Sequence, residues 1–259
     1  MKKVTMLCLA IFAVLVLTGY QQKGTNDHLT MSVLWVQKAA ETRALCYQAF
    51  NVARMMVDQN LGSAGELKKP AIIVDIDETL LDNSPYEARL IKTGESFPLG
   101  WQEWTGLAQA RPLPGAVGFL RYCDSLGIAI FYVSNRRVAE QAATMKNLEK
   151  TGFPQISEDH FYLRTSESSK EKRRHEIGEK HNIILLLGDN LNDFMDLFEK
   201  KSVEERFMAT DKNKEKFGTR FIVLPNPMYG DWEGALYNYD YRRSGEEKDD
   251  IRKNALVTY

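Results

Sequence analysis

Apolar positions along this chain recur in two rhythms, one helical and one strand-like, and the two alternate. From about Ser32 to Gln59, Trp35, Ala39, Cys46, Ala49, Ala53 and Met56 return at helical spacing, which predicts one long helix. Gly62 to Pro70 breaks it with Gly, Ser and Lys. Ala71-Ile72-Ile73-Val74 is short, wholly apolar and β-branched, the pattern of a strand covered on both faces. Gly115 to Leu126 predicts a helix with Val117, Leu120 and Leu126 inward and Gly127 ending it. Ile128 to Val133 is a second strand, and Val138 to Lys150 a helix stopped by Gly152 and Pro154. Ser166 to Lys180 is a basic helical stretch, Ile183 to Leu187 a third strand, Asn192 to Lys200 a further helix and Phe221 to Leu224 a fourth strand. Strands separated by helices imply βαβ units, an α/β fold built on a doubly wound, mostly parallel sheet. Asp82 to Arg111 interrupts the alternation with Pro85, Gly94, Pro98 and Gly100, and an insertion of that length after a strand is more often functional than idle.

The two ends read differently. Lys2 and Lys3 precede an apolar run, Met6 to Leu17, too short to span a bilayer comfortably, so residues 1–19 are expected to be an export leader. The run closes Leu17-Thr18-Gly19-Tyr20, similar to a bacterial lipoprotein box with Tyr20 where the lipid-bearing cysteine belongs. Membrane association is therefore expected only through the leader, or through lipid if that box were intact. The expected location is exported: cell surface, membrane-associated or secreted. Residues 20–30 read as a polar spacer, 31–240 as the folded domain and 241–259 as a charged tail or solvated helix.

Composition narrows the class. A 259-residue chain that is 44% hydrophobic can fill a core and is not disordered as a whole. Lys and Arg number 34 against 35 Asp and Glu, so nothing in the bulk charge points to a nucleic-acid polymer. Three cysteines make no disulfide scaffold or zinc motif; Cys46 and Cys123 fall in helical patterns and read as buried thiols, with a disulfide between them left open.

Chemistry concentrates where the strands end. The first strand runs into Asp75-Ile76-Asp77-Glu78-Thr79, the second into Ser134-Asn135-Arg136, and the third into Gly188-Asp189-Asn190 with Asp193 following. Ligands of doubly wound sheets bind outside the carboxyl ends of the strands. Asp75, Asp77, Asp189 and Asp193 at one edge would repel one another unless a cation intervened, and all-oxygen donors suit a hard divalent ion, Mg²⁺. Asp189 and Asp193 could equally cap the helix that follows them.

Asp75-Ile-Asp-Glu-Thr79 resembles the first motif of the haloacid dehalogenase-like (HAD) phosphohydrolases, and Ser134, Lys170 and Gly188-Asp-Asn-Leu-Asn-Asp193 resemble the later three in order. Asp75 to Tyr86, Ser134-Asn-Arg136, Gly188 to Phe194 and Tyr229-Gly-Asp-Trp-Glu-Gly234 are similar to the class C acid phosphatases of the lipoprotein e(P4) group. The likeness runs from about Trp35 to Trp232. It implies a Rossmann-like HAD core with a small, largely helical cap from the N-terminal helix and the insertion at about 82–111. It also implies phosphomonoester hydrolysis with Mg²⁺. Asp75 would be the nucleophile, and Asp77 the general acid and base. Asp75, Asp189 and the backbone carbonyl of Asp77 would hold the metal, with Asp193 supporting it. Ser134 and Asn135 would bind phosphate oxygens, and Lys170 would stabilise the charge building there, though Lys172 and Arg173 lie one turn away. Arg136 would bind phosphate or anchor its loop. Trp101 and Tyr229 would sandwich a nucleobase or nicotinamide ring, pointing to nucleoside 5′-monophosphates and nicotinamide mononucleotide as substrates, in the manner of a 5′-nucleotidase. Trp104 and Trp232 read rather as packing residues. A homodimer is left open.

Two other classes share parts of this pattern. A signalling receiver also has an acidic Mg²⁺ pocket on such a sheet, but carries its phosphoacceptor after the third strand and lacks an Asp at the position of Asp77. A surface binding protein for haem or nucleotide uptake, with phosphatase activity secondary, is the alternative; no haem-ligand motif stands out. Asp77 also argues against a dehalogenase, since cleaving a carbon–halogen bond needs no acid for an alkoxide leaving group.

Overall fold

The computed structural model describes residues 26–62 and 68–259; the expected leader and most of the expected spacer lie outside them. Five strands form one parallel sheet: β1 (Pro70–Val74), β4 (Ala129–Arg137), β5 (Phe161–Arg164), β6 (Asn182–Gly188) and β7 (Phe221–Val223), in the order β5-β4-β1-β6-β7. The short strands β2 (Leu81–Asp82) and β3 (Arg111–Pro112) pair antiparallel at the base of the insertion. β1 sits at the centre, with β4 on one side and β6 on the other. The chain therefore reverses its winding at β1, the position at which such sheets open a crevice.

The continuous apolar runs are explained by cover on both faces. Ile72 and Val74 join one core with Ile130, Tyr132, Leu185 and Leu187, while Ala71 and Ile73 join the other with Phe131, Val133, Leu186 and Phe194. That division is the two-residue period of a strand. The first core is closed by α2 (Ala40–Gly62), whose Cys46, Phe50, Ala53 and Val57 are buried at helical spacing, and by α5 (Ala116–Ser125). α6 (Gln141–Thr151) and α7 (Glu171–Lys180) complete the crossovers. Among the described residues no helix is long and apolar enough to cross a membrane.

Four expectations are corrected. The long N-terminal helix is two: α1 (Thr30–Lys38) ends at Ala39, whose extended backbone turns the chain before α2, and the Trp35 carbonyl accepts both the Ala39 N–H at 3.1 Å and Thr42 Oγ1 at 2.7 Å. α1 packs against the insertion, whereas α2 runs across the sheet. In α5 the buried residues are Ala116, Phe119, Leu120 and Cys123; Leu126 lies past the last turn and is 40% exposed, and Val117 is partly buried. Gly127, at φ +70°, does end that helix in the left-handed conformation a side chain disfavours. The helical stretch from Ser166 starts only at Glu171, with Lys170 immediately before it. Asn192 to Lys200 forms two 3₁₀ turns, Leu191–Asp193 and Asp196–Phe198, in place of a helix. The Asn190 side chain accepts from the Asn192 N–H and Asp193 from the Asn190 N–H, and such side chains compete with helical hydrogen bonding. The helix here is α8 (Val203–Lys212), opened by Ser202 and Glu205 in a reciprocal capping box that the pattern reading passed over.

The insertion carries α3 (Ser84–Thr93) and α4 (Trp101–Leu107) over the crevice. The end of the expected spacer is docked to it: Asn26 Nδ2 donates to the carbonyls of Leu90 and Glu95, at 3.2 and 2.5 Å. Towards the C-terminus, α9 (Asp231–Leu236) and α10 (Gly245–Asn254) are joined by Arg252 and Glu233 at 2.6 Å.

Candidate active site

β1, β4 and β6 end side by side, and each delivers its polar cluster to the same crevice. Asp75 follows directly on β1, its N–H donating to the Leu187 carbonyl at 3.0 Å, so the sheet ladder itself holds its backbone. Asp189 follows β6, and the 3₁₀ turn behind it swings Asp193 back over Gly188. Carboxylate oxygens of Asp75, Asp189 and Asp193 lie within 4.8 Å of one another. Thr79 Oγ1 donates to Asp75 Oδ2 at 3.1 Å, and Asn226 Nδ2 to Asp189 Oδ2 at 2.8 Å.

Lys170 closes this cluster. It is 5% exposed, its Nζ paired with Asp75 and, at 2.5 Å, with Asp193. Lys172 points to solvent. Arg173 serves the loops, donating to the Ser134 carbonyl at 2.6 Å and to Asn135 Oδ1 at 2.8 Å, so of the three cations Lys170 is the one paired with Asp75. Fully ionised, the three carboxylates of this cluster would outnumber the one ammonium by two charges in a largely buried place. Burial and, behind it, the neighbouring aspartates raise the Asp75 carboxyl to about 7 despite Lys170, and hold Asp189 well above the usual carboxylate range. Hard oxygen donors with such an excess of charge fit a divalent cation.

Asp77 stands apart from that cluster. Along β4 the pleat turns Ser134 and Arg136 inward and Asn135 to solvent. Arg136 is 2% exposed and forks onto Asp77, with NH2 at 2.7 Å and Nε at 3.0 Å from Oδ1. Its remaining nitrogen donates to Thr144 Oγ1 at 3.1 Å. The guanidinium expected to bind phosphate or to anchor its loop is engaged by Asp77 and Thr144, because strand alternation turns it to the buried face. Ser134 Oγ accepts from the Arg136 N–H at 3.1 Å and caps the same loop.

With this geometry in view, the family model for the acid phosphatases of HAD subfamily IIIB matches residues 16–232. The chain belongs to that family. Among solved structures it is similar to the class C acid phosphatase of Bacillus anthracis, with 46% identity, a TM-score of 0.88 and coverage of 91% of this chain and 99% of that one. The same Bacillus protein with tungstate bound gives the same score and identity, with 90% and 98% covered. Among characterised proteins it resembles acid phosphatase 1 of Solanum lycopersicum, 25% identical over 193 residues and 68% of each chain. It also resembles vegetative storage protein 2 of Arabidopsis thaliana, 28% identical over 166 residues, 61% of this chain and 55% of that one. This chain is a phosphomonoesterase, and phosphatases of its superfamily use a divalent metal.

The aromatic residues of this acid phosphatase divide as their surroundings dictate. Trp101 is partly buried, edge-on to Tyr86 at 5.0 Å and to Phe97 at 5.9 Å, with the Arg136 guanidinium 5.7 Å from its ring, so it flanks the Asp77 side of the crevice. Tyr229 is partly buried at the turn before α9, its carbonyl accepting from Trp232 Nε1 at 3.3 Å. Trp232 itself is 46% exposed, against the packing expected of it. Trp104 packs on the core as expected and also donates from Nε1 to Asn83 Oδ1 at 2.8 Å. Cys46 and Cys123 are free and buried.

Several residues of the phosphatase site escaped the sequence reading. Asn226 follows β7 as the other clusters follow their strands, and the same rule would have found it. Glu78 lies inside the first motif and Asn83 shortly after it, neither with a role suggested by its spacing; Glu78 accepts the Asn83 N–H at 2.8 Å, and burial holds its carboxyl well above the usual range. Arg174 donates to the carbonyls of Asn192 and Asp193, each at 2.9 Å, fixing the fourth motif from beneath.

Proposed function

We propose that this acid phosphatase is an exported, Mg²⁺-dependent enzyme that hydrolyses phosphomonoesters through a phosphorylated Asp75, nucleoside 5′-monophosphates and nicotinamide mononucleotide among them. One observation carries the reading: a buried carboxylate at the end of the central strand, paired with Lys170 and set within a cluster of aspartates. Asp75 attacks phosphorus, and the new Asp75–phosphorus bond forms as the bond to the leaving alcohol breaks. Asp77 gives that alcohol its proton, then takes one from the water that releases inorganic phosphate and regenerates Asp75. Lys170 stays protonated, because Asp193 and Asp75 outweigh the effect of its burial, and it balances charge on the phosphoryl oxygens. Asp75, Asp189 and Asp193, with the backbone of Asp77, would hold Mg²⁺, which supplies positive charge to the transferring group. The solvent-facing Asn135 and the Ser134 loop would meet the phosphate from the β4 side.

Other features support the finer parts. The tungstate bound by the Bacillus anthracis protein is a tetrahedral oxyanion, as phosphate is. Trp101, 5.7 Å from the Arg136 guanidinium that holds Asp77, offers a flat ring near where the leaving group would depart, and stacking on such a ring contributes roughly 1–3 kcal/mol per base. Export rests on Lys2, Lys3 and the run Met6 to Leu17.

The test is phosphate release from nucleoside monophosphates, nicotinamide mononucleotide and 4-nitrophenyl phosphate, with Mg²⁺ and with chelator, at acid and neutral pH. Turnover should require the metal and vanish in Asp75→Asn. Failure of every monoester with metal present, or undiminished turnover in Asp75→Asn, would refute the proposal.

A further inference from the structure

The Asp77 carboxylate is held from two directions, and both holds lead back to one helix of the insertion. On one side, Asn83 Nδ2 donates to Asp77 Oδ1 at 2.8 Å, while Asn83 Oδ1 accepts from Trp104 Nε1 at 2.8 Å. An indole N–H can only donate, so it fixes the oxygen end of this fully buried amide, and the nitrogen end must face Asp77. Glu78 reinforces that orientation by accepting from the same Nδ2 at 3.3 Å. On the other side, Arg136 donates to Asp77 and, through NH1, to Thr144 Oγ1 at 3.1 Å. Thr144 Oγ1 donates in turn to the Glu140 carbonyl at 2.8 Å, and the Glu140 side chain accepts from Thr105 Oγ1 at 3.0 Å. Trp104 and Thr105 are consecutive residues of α4.

We infer that Trp104 and Thr105 are positioning residues for proton transfer, together setting which oxygen of Asp77 exchanges the proton. Oδ1 receives Asn83 Nδ2, Arg136 NH2 and Arg136 Nε at 2.8, 2.7 and 3.0 Å, which fills its acceptor directions. Oδ2 meets only the outer edge of the fork, Arg136 Nε at 3.2 Å, and the side chain keeps 18% of its surface open. Oδ2 is therefore the oxygen that carries the proton to the leaving group. The insertion acts in the chemistry by holding both arms of this cradle, in addition to whatever it contributes to substrate selection. The inference rests on Asp77 as the general acid proposed above.

Leaving-group dependence separates positioning from mere stability. 4-Nitrophenolate departs with little help from an acid, whereas a simple alkoxide needs a proton. kcat/KM, which reports the first phosphoryl transfer, is measured for 4-nitrophenyl phosphate and for ethyl phosphate in the wild type, Trp104→Phe, Thr105→Val and the double variant. The phenylalanine keeps a ring in the core, and valine keeps the shape of threonine. Each single variant should lose on the order of tenfold with ethyl phosphate and less than about threefold with the aryl ester. The inhibition constant of inorganic phosphate should stay within about twofold, since ground-state binding does not use Oδ2. Equal losses with both esters in the variants that fold would overturn the inference. Asp77→Asn is the reference: a leaving-group-dependent loss there without one in Trp104→Phe or Thr105→Val rejects the positioning role alone. No such dependence in Asp77→Asn rejects the general acid itself.

Discussion

Gly188 is the point at which packing and chemistry are least separable. A β-carbon built there would lie 2.5 Å from Asp193 Cβ and 2.7 Å from Asp193 Cγ, with Oδ2 also in collision. Ordinary contact begins near 3.4 Å, so Gly188→Ala demands a displacement of about an ångström. Asp193 cannot yield cheaply: Lys170 holds one oxygen at 2.5 Å and the Asn190 N–H the other at 3.0 Å. Overpacking of this kind costs typically about 1–3 kcal/mol, and letting Asp193 move strips Lys170 of one of its two partners. For a domain of this size that cost corresponds to a Tm lower by roughly 2–10 °C. The displaced carboxylate should also weaken Mg²⁺ binding. Thermal unfolding of metal-free protein and Mg²⁺ titration calorimetry measure the two effects separately. A Tm within about 1 °C of wild type, with unchanged Mg²⁺ affinity, would refute the reasoning that Asp193 is pinned over this glycine.

Three further outcomes follow from the same structure. Gly118, exposed on α5 with open space around its β-position, should behave oppositely: Gly118→Ala should raise stability by about 0.5–1 kcal/mol, and a lower Tm would contradict its placement. Glu87 in α3 is raised to about 7 by burial and then by Glu233, so the folded chain favours its neutral form. Its contribution is fully present below pH 4.5 and is lost as pH rises through 7; Glu87→Gln should match wild type at pH 4 and exceed it by on the order of 2 kcal/mol at pH 8, and parallel stability curves would refute this. Asn226→Ala removes the donor to Asp189 and should lower Mg²⁺ affinity about 10–100-fold with little change in kcat at saturating metal; unchanged affinity would remove Asn226 from the site.

How much was legible beforehand depended on the range of the interactions involved. Four of the five sheet strands stood out because each is a short apolar run that the sheet buries, whereas β5, with alternate positions partly exposed, went unread; the ends of the first three marked Asp75, Ser134 and Asp189 without any contact information. Lys170 could not be separated from Lys172 by spacing; the choice is made by the late start of α7, which leaves Lys170 on the approach to the helix and turned inward. Whether Arg136 binds phosphate or anchors its loop was undecided from the sequence for a related reason. Its charge suggested phosphate, but alternation along β4 puts it on the buried face with Ser134, where Asp77 claims it. The turn at Asn190 to Phe198 defeated periodicity because its conformation is dictated by side-chain acceptors, which hydropathy does not register. The link from Trp104 to Asn83 spans 21 residues and exists only once the insertion folds back over the crevice.

The central claim, that Asp75 becomes covalently phosphorylated, is open to direct trapping. Turnover of a phosphomonoester with Mg²⁺ is quenched in acid and the chain is treated with borohydride, which reduces an acyl phosphate but leaves a free carboxylate intact. Peptide mass spectrometry should then find homoserine at position 75 in the presence of substrate and aspartate there in its absence. Unmodified Asp75 in an actively turning-over sample, or phosphate retained on Ser134 instead, would contradict the account.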